Sequence, residues 1–216
     1  ESQTMTYLAT PLGARISSLY LNPLSGRILR DGLGKAMSVL SGHDDFLQVS
    51  PMSLLHLVAC TPVSYTHLRA HETVEETMSS IEKEWGVQPG DLRSRVELAE
   101  WLLYASRRIV VEDDEMSSMD IKAHETLIEA IGEVRSRVRY GCKSDILGLV
   151  SLKGIGRVRA REMSKLLGVS MVSDVAELTE KDCERLSDLR GWSPRLVENL
   201  VRDAGRTVRR EKRKYN

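Results

Sequence analysis

The residues best able to do chemistry lie in the run Ser151-Leu-Lys-Gly-Ile-Gly-Arg-Val-Arg-Ala-Arg161. A Gly-Ile-Gly turn leads directly into a basic helix. Gly154 and Gly156 can adopt positive φ and let another backbone approach closely. The N–H groups of the turn and of the following helical turn then point outward as an anion site. Lys153, Arg157, Arg159 and Arg161 place positive charge where a sugar-phosphate strand would lie, with Ile155 at the centre of the turn. The alternative is an ordinary helical hairpin whose arginines solvate its surface. No other chemistry competes. There is no Gly-x-x-x-x-Gly-Lys-Ser/Thr loop and no Asp-Glu-x-His motif, and Gly154-x-Gly156 lacks the preceding strand and third glycine of a dinucleotide site. His67 and His71 have i, i+4 spacing, but no third ligand accompanies them. No catalytic residue and no metal site are expected.

These residues need helices to hold them. Ser144 is expected to cap a short helix entering the turn, and Arg157–Leu167 follows it and stops at Gly168. Ser173, Thr179 and Ser193 are expected to cap three further helices. Leu186 to Val197 repeats the apolar and glycine spacing of the first turn, with Ser193 where the second glycine would stand. That copy reads as mainly structural, with Trp192 in the core. Upstream, Leu24–Leu40 reads as a helix interrupted by Gly32 and Gly34, and Ser50-Pro51 as the start of the helix Met52–Cys60. Gln88-Pro-Gly-Asp91 reads as a turn whose Asp91 caps a long helix to about Val110. Asp120 caps another, which Gly141 ends after Tyr140. Residues 5–13 read as a final strand; nothing else has period two. The fold class is all-α, with a boundary near Tyr140–Ser144.

The chain has 216 residues, 29 % charged and 5 % aromatic, with zero formal net charge. Its halves differ: residues 143–216 hold 17 Lys+Arg against 11 Asp+Glu, and residues 1–142 hold 14 against 20. A polyanion would meet the basic C-terminal part first. The closing run Arg206 to Tyr215 reads equally as a phosphate-seeking arm or a solvated tail. No apolar run reaches the ~18 residues of a membrane span. Cys60, Cys142 and Cys183 are scattered, so neither disulfides nor zinc is indicated. A cytoplasmic monomer is expected. The chain opens on Glu1, and a fragment of a longer protein is expected.

A second candidate site lies on the helix from Leu92 to Val110. At ~100° per residue its apolar stripe is Leu92, Val96, Ala99, Leu102, Leu103, Ile109 and Val110. Trp101 falls roughly opposite, beside Ser94, Glu97, Tyr104 and Arg108. Either another helix covers this indole, or a base stacks on it while Arg108 meets the backbone. The residues alone leave both open.

The turn resembles the helix-hairpin-helix motif of DNA repair and processing proteins. Beyond it, Thr10-Pro-Leu-Gly, Ser17 to Leu24, Ser50 to Leu57, Pro89-Gly-Asp-Leu-Arg, Ala99 to Tyr104 and Leu152 to Arg161 together resemble the C-terminal third of the archaeal Ski2-like superfamily 2 DNA helicases. That resemblance implies the end of a winged helix over residues 1–13, a multi-helix ratchet domain over 14–141 and a small helix-hairpin-helix domain over 144–216. It implies that Trp101 stacks on single-stranded DNA. The family's partner arginine two turns earlier is Ser94 here, which puts a second contact in doubt. The implied partners are single-stranded and forked DNA, with replication or single-strand-binding proteins as further candidates. ATP and magnesium are implied for a motor outside this chain. The implied function is the DNA-binding portion of a 3′-to-5′ helicase in replication-fork repair. The alternatives are a protein-interaction or autoinhibitory module, or an accessory domain of a Ski2-like RNA helicase.

Residues 63–73, Val-Ser-Tyr-Thr-His-Leu-Arg-Ala-His-Glu-Thr, depart from that pattern. They match, residue for residue, the in-frame translation of a transposase library adapter used in DNA sequencing. A ratchet interrupted there, lacking a helix, is the expectation.

Overall fold

The computed structural model describes residues 8–42, 48–62 and 89–213. Among these residues every regular element is helical, so the all-α class is observed. The chain divides into two compact units, Glu1–Arg139 and Tyr140–Asn216. Residues 63–73 and the His67/His71 pair lie outside the described residues.

The first unit contains α1 (Pro11–Ser18), α2 (Pro23–Leu40), α3 (Pro51–Ala59), α4 (Pro89–Glu112), α5 (Asp114–Met119) and α6 (Ile121–Tyr140, whose last residue falls in the second unit). Three of these open in the same way. Thr10, Asn22 and Ser50 each cap a helix whose first residue is proline, a position where the missing N–H costs no helical bond. The core is built from i, i+4 rows: Leu29, Leu33 and Met37 on α2, and Ala123, Leu127 and Ile131 on α6. They meet Leu102, Leu103, Ile109 and Val110 of α4, four of the seven residues of the stripe expected for that helix; Ala99 is also buried, whereas Leu92 and Val96 are half-buried. Charged groups fasten the rim. Arg30 of α2 donates to Asp113 at 2.9 Å and to Glu115 at 2.6 Å, and the first of these bonds does most to raise its pKa.

Three expectations fail here for identifiable reasons. The strand over 5–13 is absent from its described part: Leu8–Thr10 has no regular structure, and Pro11 opens α1 on the Thr10 cap. Helix α2 runs through Gly32 and Gly34 without interruption. A Cβ at Gly32 would collide with the Leu57 side chain, so this glycine lets α3 sit close against α2. Burial outweighs the ~1 kcal/mol a helical glycine costs. Likewise α4 starts at Pro89, which places Asp91 inside the first turn instead of at the cap.

The second unit contains a 3₁₀ turn (Ser144–Ile146), α7 (Leu147–Val150), α8 (Arg157–Leu167), α9 (Val172–Ala176), α10 (Glu180–Ser187) and α11 (Pro194–Lys212). Its core joins Ile146, Leu149, Ile155, Met163, Val175, Leu186, Trp192, Val197 and Leu200. Helix α8 ends at Gly168 with φ 70°, and Gly141 (φ 61°) follows α6, as their sequences imply. Ser144 makes no side-chain cap, being the first residue of the 3₁₀ turn. Ser173 does not cap α9 either. Asp174 reaches back to accept from the Ser170 and Met171 amides at 3.0 and 2.9 Å. Those two amides hold its carboxyl below the usual range. Thr179 caps α10 through Asp182, and the Ser193 Oγ accepts from Leu196 N–H at 3.3 Å at the start of α11.

Candidate nucleic-acid interface

Two turns in the second unit share one backbone design, displaced by 37 positions in the chain. In the first, Leu152 N–H donates to Leu149 C=O, Ile155 N–H to Leu152 C=O, and Ala160 N–H to Gly156 C=O. In the second, Leu189 donates to Leu186, Trp192 to Leu189, and Val197 to Ser193. Gly154 has φ 81° and Gly191 has φ 86°, a region L side chains enter only at a cost. Ile155 and Trp192 occupy equivalent buried positions at the middle of each turn. The structural role expected for Trp192 is observed, and its indole N–H donates to Glu162 at 2.9 Å.

The turns differ at the next residue. Gly156 is the N-cap of α8 with φ −91° and ψ 175°, ordinary extended backbone, so the positive φ expected there does not occur. A Cβ on Gly156 would meet nothing within 4 Å. The fold therefore does not require this glycine; what its absent side chain leaves is open space in front of the helix start. Without a side chain it makes no cap to the amides of Val158 or Arg159, the donors a cap normally takes. In the second turn Ser193 caps the equivalent Leu196 amide, and Pro194 has no N–H at all. At the start of α11, then, one amide is capped and another does not exist.

The basic residues of the first turn separate into two groups. Lys153 and Arg157 are exposed beside Gly154 and Gly156. Arg159 instead works for the fold. Its guanidinium donates to Gly154 C=O and to Gly191 C=O, both at 2.8 Å, and lies 5.9 Å from the centre of the Trp192 ring. It ties the two turns to each other. Arg161 is paired with Asp145. Ile155, expected among the contact residues, has a buried side chain and an amide already bonded to Leu152, so it acts through the core. Val158 points outward at 65 % exposure, unlike its expected apolar partners Ala160 and Met163, which are buried.

The second candidate lies in the first unit on α4. Trp101 is half-buried and packs against the edge of the core, so its own unit covers part of the indole. One turn on, Tyr104 is exposed, with the Arg135 guanidinium of α6 5.0 Å from its ring centre. Arg135 also donates to Glu100 at 3.1 Å. Arg108 is paired with Glu112, which Arg15 also engages. Ser94 is exposed and donates to Gly90 C=O. The Tyr104–Arg135 pair was not legible in the sequence, because its members lie 31 residues apart on different helices.

Comparison with known proteins finds similarity to archaeal helicases. Residues 73–141 match the family of archaeal helicase domain 4, and the match begins at Thr73, where the adapter-like stretch ends. The particular relatives are proteins named ATP-dependent DNA helicase Hel308. That of Methanococcus vannielii is 26 % identical, covering 85 % of this chain and 28 % of the relative. That of Pyrococcus horikoshii is 24 % identical, covering 93 % and 31 %. That of Thermoplasma volcanium is 26 % identical, covering 91 % and 30 %. The resemblance read from the sequence motifs is thus matched by similarity to these helicases over most of the chain. The chain spans about three-tenths of the length of the curated relatives it matches.

Proposed function

We propose that this chain is a DNA-binding portion of an ATP-dependent 3′-to-5′ helicase acting on forked or branched DNA during replication-fork repair. The observation that carries the reading is the open helix start at Gly156, flanked by exposed Lys153 and Arg157. A phosphate seated there accepts from the Val158 and Arg159 amides and lies at the positive end of α8. Nothing at this turn reads a base, so the grip is independent of sequence and sensitive to salt. Similarity to DNA helicases supports DNA as the polymer.

Residues 14–141 act as the ratchet in this proposal, 144–216 as the helix-hairpin-helix domain, and 1–13 as the end of a winged helix. A base stacks on the uncovered part of Trp101 while a motor outside this chain, using ATP and magnesium, advances the strand. Arg108 contacts the backbone only by exchanging Glu112 for a phosphate.

Binding of a labelled single-stranded and a forked oligonucleotide by the 216-residue chain tests the reading. Gly156→Ala should weaken both several-fold with the melting temperature unchanged, since its methyl enters open space. Arg157→Ala should reduce the slope of log K against log salt by about 1. Unchanged binding in both variants would refute the phosphate grip and assign the turn to a protein partner. Tighter binding of RNA than of DNA of equal sequence would assign the chain to an RNA helicase.

A further inference from the structure

A long exposed face of the second unit that neither turn accounts for belongs to α11. Val197, Leu200 and Ala204 are buried on one side of this helix and fix its rotation. At ~100° per residue, Arg195, Arg202, Arg206, Arg209 and Arg213 fall within about 60° of one another on the opposite side. All five are exposed. Arg213 continues the helical bonding by donating to Arg209 C=O at 3.3 Å. The stripe is ~27 Å long at 1.5 Å per residue.

Its internal bonds hold the arginines along the helix without neutralising most of them. Arg209 donates to Gly205 C=O at 3.1 Å, Arg202 to Asn199, and Arg206 pairs with Asp203 at 3.4 Å. Glu198 lies at one border of the stripe and Asp203 at the other, with Arg210, a further exposed cation, between Asp203 and the stripe. Among the described residues α11 carries no aromatic side chain, so this helix offers no platform on which an unpaired base could stack. A straight row of cations without a stacking platform fits the backbone of a stiff polymer with closely spaced charge. Double-stranded DNA, with one phosphate charge per ~1.7 Å of axis, is such a polymer.

We infer that the Arg195–Arg213 face of α11 is a contact surface for the phosphate backbone of duplex DNA, separate from the grip at Gly156. This rests on the reading of the chain as DNA-binding, and extends it from the unpaired strand to the duplex arm of a fork.

The test is the triple variant Arg202→Gln/Arg206→Gln/Arg209→Gln in the 216-residue chain. It is titrated with a blunt duplex and with a single strand of equal length over a range of potassium chloride concentrations. Thermal melting by circular dichroism should be unchanged, because all three side chains are exposed. Duplex affinity should fall roughly tenfold or more at low salt, and the slope of log K against log salt should shrink by about 2 to 3. Single-strand binding should change by less than threefold. An unchanged duplex slope would overturn the inference, as would equal losses for duplex and single strand. Displacement of the wild-type chain from duplex by poly-glutamate as effectively as by unlabelled duplex would also overturn it, in favour of an acidic protein partner. If the triple variant binds duplex normally while Gly156→Ala loses single-strand binding, this inference fails alone. If the wild-type chain binds no DNA, both fail.

Discussion

The turns at Gly154 and Gly191 are built on the same hydrogen bonds, and both require a left-handed glycine before a buried apolar residue. They diverge where a ligand would sit. The first continues with Gly156, exposing amides and open space; the second continues with Ser193-Pro194, which caps one amide and deletes another. Residues that build a turn are thus separable from residues that leave it available. The glycine with the unusual φ belongs to construction in both copies, and the one with ordinary φ, present in one copy only, leaves a helix start open.

The largest effect should come from the shared construction. Trp192→Ala removes a buried ring and the bond to Glu162, and should cost about 3–5 kcal/mol in chemical denaturation. A loss below 1 kcal/mol would mean that the second turn does not organise this core. Next, Gly154→Ala and Gly191→Ala should each destabilise by about 1–2 kcal/mol, because both force a Cβ into the left-handed region. Near-equal melting shifts would confirm that the turns are equivalent as structures; a shift at only one would break the comparison. Arg159→Ala should cost about 1 kcal/mol, since exposed hydrogen bonds to the two glycine carbonyls contribute modestly. The double variant Ser193→Gly/Pro194→Arg should change stability by only a few tenths of a kcal/mol. It reopens the second helix start, and single-strand affinity measured by fluorescence anisotropy should rise several-fold. No gain would show that an open start is insufficient.

Local signals made much of the second unit legible. Gly168 and Gly141 mark helix ends, Thr179 caps α10, and the apolar spacing places Leu149, Leu186 and Trp192 in one core. The misreadings arose where packing between helices, or a competing neighbour in the chain, overrides the simplest local preference. Gly32 looks like an interruption until Leu57 is seen against it, and Ser173 looks like a cap until Asp174 is seen reaching backward. At the candidate interface, the sequence places four cations around the turn, but only the fold shows Arg159 turned toward Gly191, 32 residues away. Trp101 illustrates both sides. Its wheel position off the apolar stripe was legible, whereas its half-burial depends on neighbours that a single helix cannot reveal.

The exchange Gly156→Ser gives the first turn the cap that the second already has, so it tests the central claim most directly. Measured on the 216-residue chain with a single-stranded oligonucleotide across a salt series, it should weaken binding several-fold and leave the melting temperature equal or slightly higher. Full retention of affinity by this variant would contradict the account.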